Sequence, residues 1–122
     1  MQHSPQFLKL VDDAKRRVKE ISVHDAYIEA KKPGVYLVDV REESEWHAGH
    51  APGAVHLGKG IIERDIEQRI PDPQTRILCY CGGGYRSALV ADNLQKMGYS
   101  NVISMDGGMR GWREKQYPVT AG

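Results

Sequence analysis

The chain of 122 residues is long enough for one domain with a single core and too short for two. Hydrophobic residues make up 40% of it and charged residues 27%, a balance that is typical of a folded globular protein and excludes a disordered chain. Because 17 basic residues face 16 acidic ones, the net charge of +1 predicts no nucleic-acid or membrane partner, and any anion site must be local.

The first predicted element of the chain is a helix over residues 1–20, which is capped at its start and charged on its exposed side. Its apolar face recurs at helical spacing and comprises Phe7, Val11, Ala14 and Val18. The segment 23–32 is predicted to be a short helix that stops at a Pro-Gly pair. Residues 35–40 are rich in β-branched side chains and are predicted to form a buried strand. A helical turn, a loop and a short strand at 54–57 follow.

The second half of the chain continues the same alternation. Residues 61–70 are predicted to form a helix whose apolar face is Ile62, Ile66 and Ile70. Residues 76–81 are a second candidate for a buried strand, and the pattern from 87 to 97 is helical, with Gly98 in the C-terminal capping position. A last strand at 101–105 and a last helix at 107–118 complete the chain.

Strands that alternate with helices predict an α/β domain with a mainly parallel sheet and right-handed crossover connections. Functional sites in such sheets lie beyond the carboxyl ends of the strands. The segment CYCGGGYRSA, residues 79–88, falls at such an end. It is therefore the first candidate for a functional site.

The loop that follows this strand places a thiol among backbone amides. Gly82, Gly83 and Gly84 allow backbone angles at which several N–H groups point at one spot, and a helix start adds unpaired donors. Lowering a thiol pKa by about two units from about 8.5 requires about 2.7 kcal/mol, which such donors can supply. Cys81 is therefore predicted to be an activated nucleophile, and Arg86 adds a cation that can hold an oxyanion.

The two cysteines, Cys79 and Cys81, are separated by one residue. A disulfide between them would close a very small, strained ring, so both are predicted to be free thiols in a reducing compartment. The start of the chain has no apolar core of a signal peptide, and no later stretch is long enough to span a bilayer. We therefore expect a cytoplasmic protein. For Cys79 an inert core thiol is favoured over a relay or resolving cysteine.

Three segments resemble the single-domain rhodaneses, the thiosulfate sulfurtransferase family. CGGGYRS at 81–87 resembles the active-site loop of that family. DVREESEWHAGHAPGAVHL at 39–57 resembles its D-V-R-E followed by G-H-I-x-G-A, and DGGMRGW at 106–112 is similar to its closing G-G-x-x-x-W. The segments come in the order and spacing of the family. The resemblance divides the chain into an N-terminal helical extension, residues 1–20, and a rhodanese-like domain, residues 21–122.

The resemblance implies a five-stranded, mainly parallel sheet flanked by helices, with an extra N-terminal helix. It implies that Cys81 takes a sulfane sulfur from a donor such as thiosulfate, carries it as a persulfide, and passes it to cyanide, a thiol or a sulfur-carrier protein. No metal or organic cofactor is required. Arg86 is expected to steer the anionic donor. The loop expected to bind substrate and persulfide comprises Gly82, Gly83, Gly84, Tyr85, Arg86 and Ser87.

The resemblance leaves other residues near the predicted site with supporting roles. Asp39 and Arg41, at the end of a strand, are expected to brace the loop by hydrogen bonds rather than to transfer protons. Tyr85 is either a specificity residue at the rim or a partly exposed aromatic residue. The spacing of the histidines does not match a closed zinc site, so no metal site is predicted. Those histidines are His47, His50 and His56.

Two alternative functions remain open at this point. Arg86 is the only charged residue of the loop, so the chain can be a persulfide carrier or binding module with little thiosulfate turnover. A phosphatase or arsenate reductase has a related loop in which five residues separate cysteine and arginine, whereas four separate Cys81 from Arg86. This shorter loop makes the second alternative the less favoured one.

Overall fold

The computed structural model describes residues 3–122, and its centre is a five-stranded sheet in which every paired strand is parallel. The strands lie in the order β1-β5-β4-β2-β3. Their bounds are β1 Lys19–Ser22, β2 Val35–Asp39, β3 Val55–His56, β4 Arg76–Tyr80 and β5 Val102–Asp106. The helices are α1 Pro5–Lys15, α2 Val23–Glu29, α3 Glu43–Ala48, α4 Ile62–Arg69, α5 Tyr85–Lys96 and α6 Gly108–Glu114. The predicted fold class, including the N-terminal helix, is confirmed.

Successive residues of the central strands pack on opposite faces of the sheet, as the period of a strand requires. On β4, Ile77 and Cys79 pack in a buried cluster with residues of α4 and α5, and Cys81 continues this side beyond the strand. Leu78 and Tyr80 pack in a second cluster with residues of α2 and α6. Helices therefore cover both faces, and Cys81 leaves the sheet on the side of α5.

The predicted N-terminal helix is longer than the observed one. Helix α1 ends at Lys15, and Val18 packs against the main core from outside any helix. The residues that follow form β1, a strand the sequence did not predict. Its residues are mostly exposed at the edge of the sheet, so it lacks the apolar run that marks a buried strand. Residues 1–2 of the predicted helix lie outside the described residues.

The other predicted elements agree with the structure to within a few residues. The apolar face predicted for α4 is buried and consists of Ile62, Ile66 and Ile70. Helix α5 begins at Tyr85, two residues before its predicted start, and Gly98 follows its C-cap with a φ of 100°. Within residues 3–122, no helix has both the length and the apolar character needed to cross a membrane.

Helix α1 is fixed along α5, the helix that follows the Cys81 loop. Val11 and Ala14 are buried against Leu89 of α5. Arg17 donates two hydrogen bonds, of 2.9 and 2.8 Å, to the carboxylate of Asp92 on the same helix. Paired charge-assisted bonds of this kind define the orientation of both side chains. The position of α1 relative to the loop is therefore set by both packing and charge.

Candidate active site

The loop from β4 to α5 turns sharply around the sulfur of Cys81. Gly84 adopts a φ of 105°, in the left-handed region that favours glycine. A Cβ atom at this position would lie 3.3 Å from the amide nitrogen of Gly107, so there is little room for a side chain. With this turn, the amides of Gly84 and Ser87 donate hydrogen bonds to Cys81 Sγ at 3.1 and 3.4 Å. The loop thus surrounds the sulfur with donors.

Two serine hydroxyls extend the hydrogen bonding of the sulfur into the core. Ser87 Oγ lies 3.5 Å from Cys81 Sγ, and it is 2.8 Å from Ser104 Oγ on β5. Both serines are completely buried. When Ser104 donates to Ser87, the Ser87 hydroxyl is free to donate to a thiolate. Ser104 was not a predicted site residue, because nothing in its local sequence distinguishes it from other serines in strands.

The pKa of the Cys81 thiol is lowered by the loop. Burial on its own would raise this pKa, but hydrogen bonds from the Ser87 hydroxyl and from the amides of Ser87, Gly84 and Gly83 outweigh it. Donors stabilise the thiolate and leave the thiol almost unaffected. The arrangement therefore favours the reactive thiolate form of Cys81 more than the surroundings of an isolated thiol would.

Replacing Ser87 by alanine is expected to raise the pKa of Cys81 and to slow its alkylation by iodoacetamide at pH 7 by about tenfold, since one hydrogen bond to a charged group contributes about 1.5 kcal/mol or more. The measurement is the alkylation rate as a function of pH. Ser100→Ala, at an exposed serine away from the loop, is the matched control. An alkylation profile of Ser87→Ala identical to that of the control would contradict the role of this hydroxyl.

Arg86 is held at the rim of the site by an acidic partner. It donates two hydrogen bonds to the carboxylate of Glu45 on α3, at 2.7 and 3.0 Å. The pair lowers the pKa of Glu45 and raises that of Arg86. The charge predicted to steer the donor is thus balanced by a carboxylate. Sequence reasoning did not single out Glu45, which lies 41 residues away in the chain.

Helix α6 closes the loop from the other side, by direct backbone contact. The amides of Met109 and Arg110 donate to the carbonyls of Cys81 and Gly82 at 2.8 and 3.0 Å. A Cβ atom on Gly108 would lie 2.8 Å from the Gly82 carbonyl oxygen and closer still to that of Cys81. The glycines of the segment DGGMRGW therefore allow the two backbones to meet.

Arg110 brings a second guanidinium to the site. Its side chain lies over the loop, so that a Cβ atom on Gly83 would be 3.8 Å from its Nη2 atom. Within residues 3–122, no carboxylate forms a salt bridge with Arg110. Unlike Arg86, Arg110 is therefore a cation without an acidic partner among the described residues, and it lines the same cavity as Cys81. Its position in DGGMRGW gave no signal, because only the fold brings this segment to the loop.

Asp39 and Arg41 form a buried ion pair next to the site. Arg41 donates to both carboxylate oxygens of Asp39 at 2.8 to 3.1 Å, and its Nη2 atom also donates to the carbonyl of Gly49 at 2.7 Å. None of these bonds reaches the loop of residues 82–87. The pair fixes the segment that ends α3, and α3 carries Glu45. The hydrogen bonds that the sequence predicted between this pair and the loop are therefore not found, because both side chains are occupied by each other and by the end of α3.

Cys79 faces the core and not the site. It is completely buried, and this burial raises the pKa of its thiol to about 12. A thiol with this pKa is protonated at neutral pH and is a poor nucleophile. These observations agree with the interpretation of Cys79 as an inert core residue.

The histidines pack around a tryptophan. The ring of His50 stacks on Trp46 with centroids 3.4 Å apart, and His56 stacks on the same ring at 5.0 Å. His47 lies 3.4 Å from Glu43 on the same helix. Within residues 3–122, no three His, Cys, Asp or Glu side chains are grouped as metal ligands would be. The aromatic stack gives His50 and His56 a structural role.

A cavity of about 880 Å³ opens over the loop, with Cys81 in its lining. Polar and charged groups from Glu45, Arg86 and Arg110 line part of it. Aromatic rings from the N-terminal segment and the loop line another part, and these belong to His3, Phe7 and Tyr85. The cavity thus combines a thiol, an uncompensated cation and an apolar surface.

The fold and the cysteine loop together define an α/β domain that carries a hydrogen-bonded thiol at the carboxyl ends of parallel strands, and the comparisons place this domain in a known family. The model of the rhodanese-like domain family matches residues 20–115, and the chain belongs to this family. It is 36% identical over 101 residues to the thiosulfate sulfurtransferase GlpE of Tolumonas auensis. The matched region covers 83% of this chain and 92% of that relative.

Two solved structures are similar over nearly the whole chain. One is a protein of unknown function from Rhodopseudomonas palustris, described as a possible tyrosine phosphatase, with a TM-score of 0.83, 27% identity, and coverage of 98% of this chain and 99% of that one. The other is the homodimeric polysulfide-sulfur transferase of Wolinella succinogenes, with a TM-score of 0.81, 26% identity, and coverage of 96% and 88%. Both likenesses extend beyond the residues that the family model matches.

Proposed function

We propose that the protein is a sulfurtransferase that moves a sulfane sulfur from an anionic donor such as thiosulfate to cyanide or a thiol through a persulfide on Cys81. The observation that carries this proposal is the pair of backbone amides and the Ser87 hydroxyl directed at a buried sulfur that lines an open cavity. The relationship to a protein named a thiosulfate sulfurtransferase supports it. The free thiols fit a reducing, cytoplasmic location, which is part of the proposal.

In the first half-reaction, the Cys81 thiolate attacks the outer sulfur of thiosulfate. A bond forms between Sγ and that sulfur, the bond between the two sulfur atoms of thiosulfate breaks, and its electron pair leaves with sulfite. In the second half-reaction, cyanide attacks the terminal sulfur of the persulfide, thiocyanate departs and the Cys81 thiolate is restored. No external oxidant or reductant is needed. The amides of residues 82–87 hold the negative charge in both forms of the enzyme.

The sulfur donor is proposed to bind to Arg110 before it reacts with Cys81. Arg86 shares its charge with Glu45 and keeps the rim of the loop in place, whereas Arg110 has no acidic partner within residues 3–122. A guanidinium can hold an oxyanion by two parallel hydrogen bonds. Arg110 is therefore the residue we assign to capture of the sulfonate end of thiosulfate.

Replacing Arg110 by alanine is expected to raise the KM for thiosulfate by about tenfold with a smaller change in kcat, because it removes a charge-assisted contact of about 1.5 kcal/mol that acts on the bound donor. The measurement is thiocyanate formation from thiosulfate and cyanide at several ionic strengths. Arg113→Ala removes an arginine from the same helix that does not line the cavity, and it is expected to keep the wild-type KM.

This turnover assay also tests the proposed function itself. Wild-type protein that forms no thiocyanate, and gains no sulfur from thiosulfate, would contradict sulfur transfer from this donor. Hydrolysis of p-nitrophenyl phosphate or reduction of arsenate by the same preparation would then favour the phosphatase or arsenate reductase alternative. The length of the loop disfavours that alternative, because four residues separate Cys81 from Arg86 where such enzymes have five.

A further inference from the structure

The N-terminal helix contributes side chains to the cavity over Cys81. His3, Phe7 and Tyr85 form a cluster, called here the aromatic wall, with ring centroids 5.2 Å apart for His3 and Phe7, 4.8 Å for His3 and Tyr85, and 6.3 Å for Phe7 and Tyr85. All three line the cavity. The ammonium group of Lys15 lies 5.2 Å from the centre of the Tyr85 ring and helps to orient it. Two members of the wall precede residue 20, where the family match begins.

The aromatic wall is carried by a well-anchored helix. Val11 and Ala14, one and two turns after Phe7, are almost completely buried, and Arg17 is bound to Asp92 of α5. Phe7 and Tyr85 themselves remain only half buried. Side chains that serve only to attach a helix would be expected to be buried, as Val11 is. The wall is thus a fixed apolar surface that is still open to a ligand.

The size of the cavity does not suit a small inorganic anion alone. About 880 Å³ is within the range of roughly 300–1,000 Å³ that is typical of sites for organic ligands. Thiosulfate at Arg110 and Cys81 would leave the aromatic wall in contact with water only. Aromatic rings offer a large and rigid surface for an apolar group, with little loss of conformational freedom. The cavity therefore fits a ligand that has both an anionic group and an apolar body.

We infer that the aromatic wall selects an organic sulfane-sulfur donor, whose apolar body packs on Phe7 and Tyr85 while its anionic sulfur-bearing group lies between Arg110 and Cys81. This inference rests on the proposed function and adds the substrate class. An organic thiosulfonate reacts with Cys81 in the same way as thiosulfate. The Cys81 thiolate bonds to the terminal sulfur, the sulfur–sulfur bond of the donor breaks, and its electron pair leaves with the organic sulfinate.

A pair of thiosulfonates tests the inference, because the same bond breaks in both. The probes are benzenethiosulfonate and methanethiosulfonate, with cyanide as the acceptor, and the measured quantity is the ratio of their kcat/KM values. Differences in intrinsic reactivity cancel when the ratio is compared between wild type and variants. Phe7→Ala is expected to lower the ratio of the benzene to the methane donor by about tenfold. Leu10→Ala, at an exposed apolar position on the same helix, is expected to keep the wild-type ratio.

A second variant separates contact with the donor from loss of the helix. Tyr85→Leu keeps an apolar side chain in the wall and is expected to lower the ratio by less than Phe7→Ala does. Circular dichroism and thermal unfolding of each variant establish that α1 is retained. A ratio in Phe7→Ala equal to that in wild type, with a Cys81 persulfide still formed from either donor, would overturn the inference and leave the proposed function intact. Absence of any persulfide in wild type with all three donors would overturn both.

Discussion

Cys81→Ser is expected to abolish the gain of one sulfur atom that wild-type protein shows after incubation with thiosulfate. A serine hydroxyl is not ionised at neutral pH and does not attack sulfane sulfur, so the first half-reaction has no nucleophile. The intact mass of the reduced protein is measured before thiosulfate, after it, and again after cyanide. Wild type is expected to gain the sulfur and to lose it to cyanide.

Cys79→Ser provides the matched control, since it removes the other thiol of the chain. Cys79 is completely buried and its pKa is raised to about 12, so its loss is expected to leave the mass gain unchanged. If Cys81→Ser carries a sulfur adduct that cyanide removes, or if Cys79→Ser carries none, the sulfur is carried by Cys79 and not by Cys81. Either outcome would contradict the proposed function. The experiment thus distinguishes the two thiols directly.

Asp39→Ala is expected to lower the free energy of unfolding by about 3–5 kcal/mol, because it leaves the Arg41 guanidinium buried without its counter-charge. For a domain of this size the melting temperature should fall by roughly 10–20 °C. The pair is almost inaccessible to solvent, so water cannot take the place of the carboxylate. Thermal and urea unfolding of the purified variant measure the effect.

Asp65→Ala is the control for a carboxylate of the same type at the surface. Asp65 pairs with the neighbouring Arg64, whose side chain is largely open to solvent, and the Asp65 side chain is itself partly exposed. Exposed pairs of this kind contribute little, so the melting temperature is expected to stay close to that of wild type. Equal melting temperatures for Asp39→Ala and Asp65→Ala would show that the buried pair does not stabilise the segment that carries Glu45.

The elements that the sequence predicted well are those whose hydrophobic pattern indicates which of their residues are buried. The apolar runs of β2 and β4 and the isoleucine face of α4 lie in the core as expected. Strand β1 was not predicted because its backbone pairs with β5 while most of its side chains stay exposed. Its pairing partner, β5, is far away in the chain, and the local sequence pattern of β1 does not indicate this pairing.

The residues of the candidate site also fall into two groups, those that the local sequence predicts and those that it does not. Cys81 and its loop could be predicted, because a thiol followed by glycines and a helix start is a local arrangement. Glu45, Ser104 and Arg110 could not, because each lies on a different element and reaches the loop only in the folded chain. These residues nevertheless decide which charges are balanced at the site.

The sequence by itself determined the fold class, the family and the candidate nucleophile, since periodicity and short motifs depend on neighbouring residues. Only the tertiary structure showed that the charge of Arg86 is balanced by Glu45, that Arg110 has no salt-bridge partner within residues 3–122, and that Phe7 of the N-terminal helix lines the cavity. The physical reason is that charge compensation and cavity shape depend on distances between side chains that are remote in the sequence. A parallel sheet brings such side chains together at the carboxyl ends of its strands.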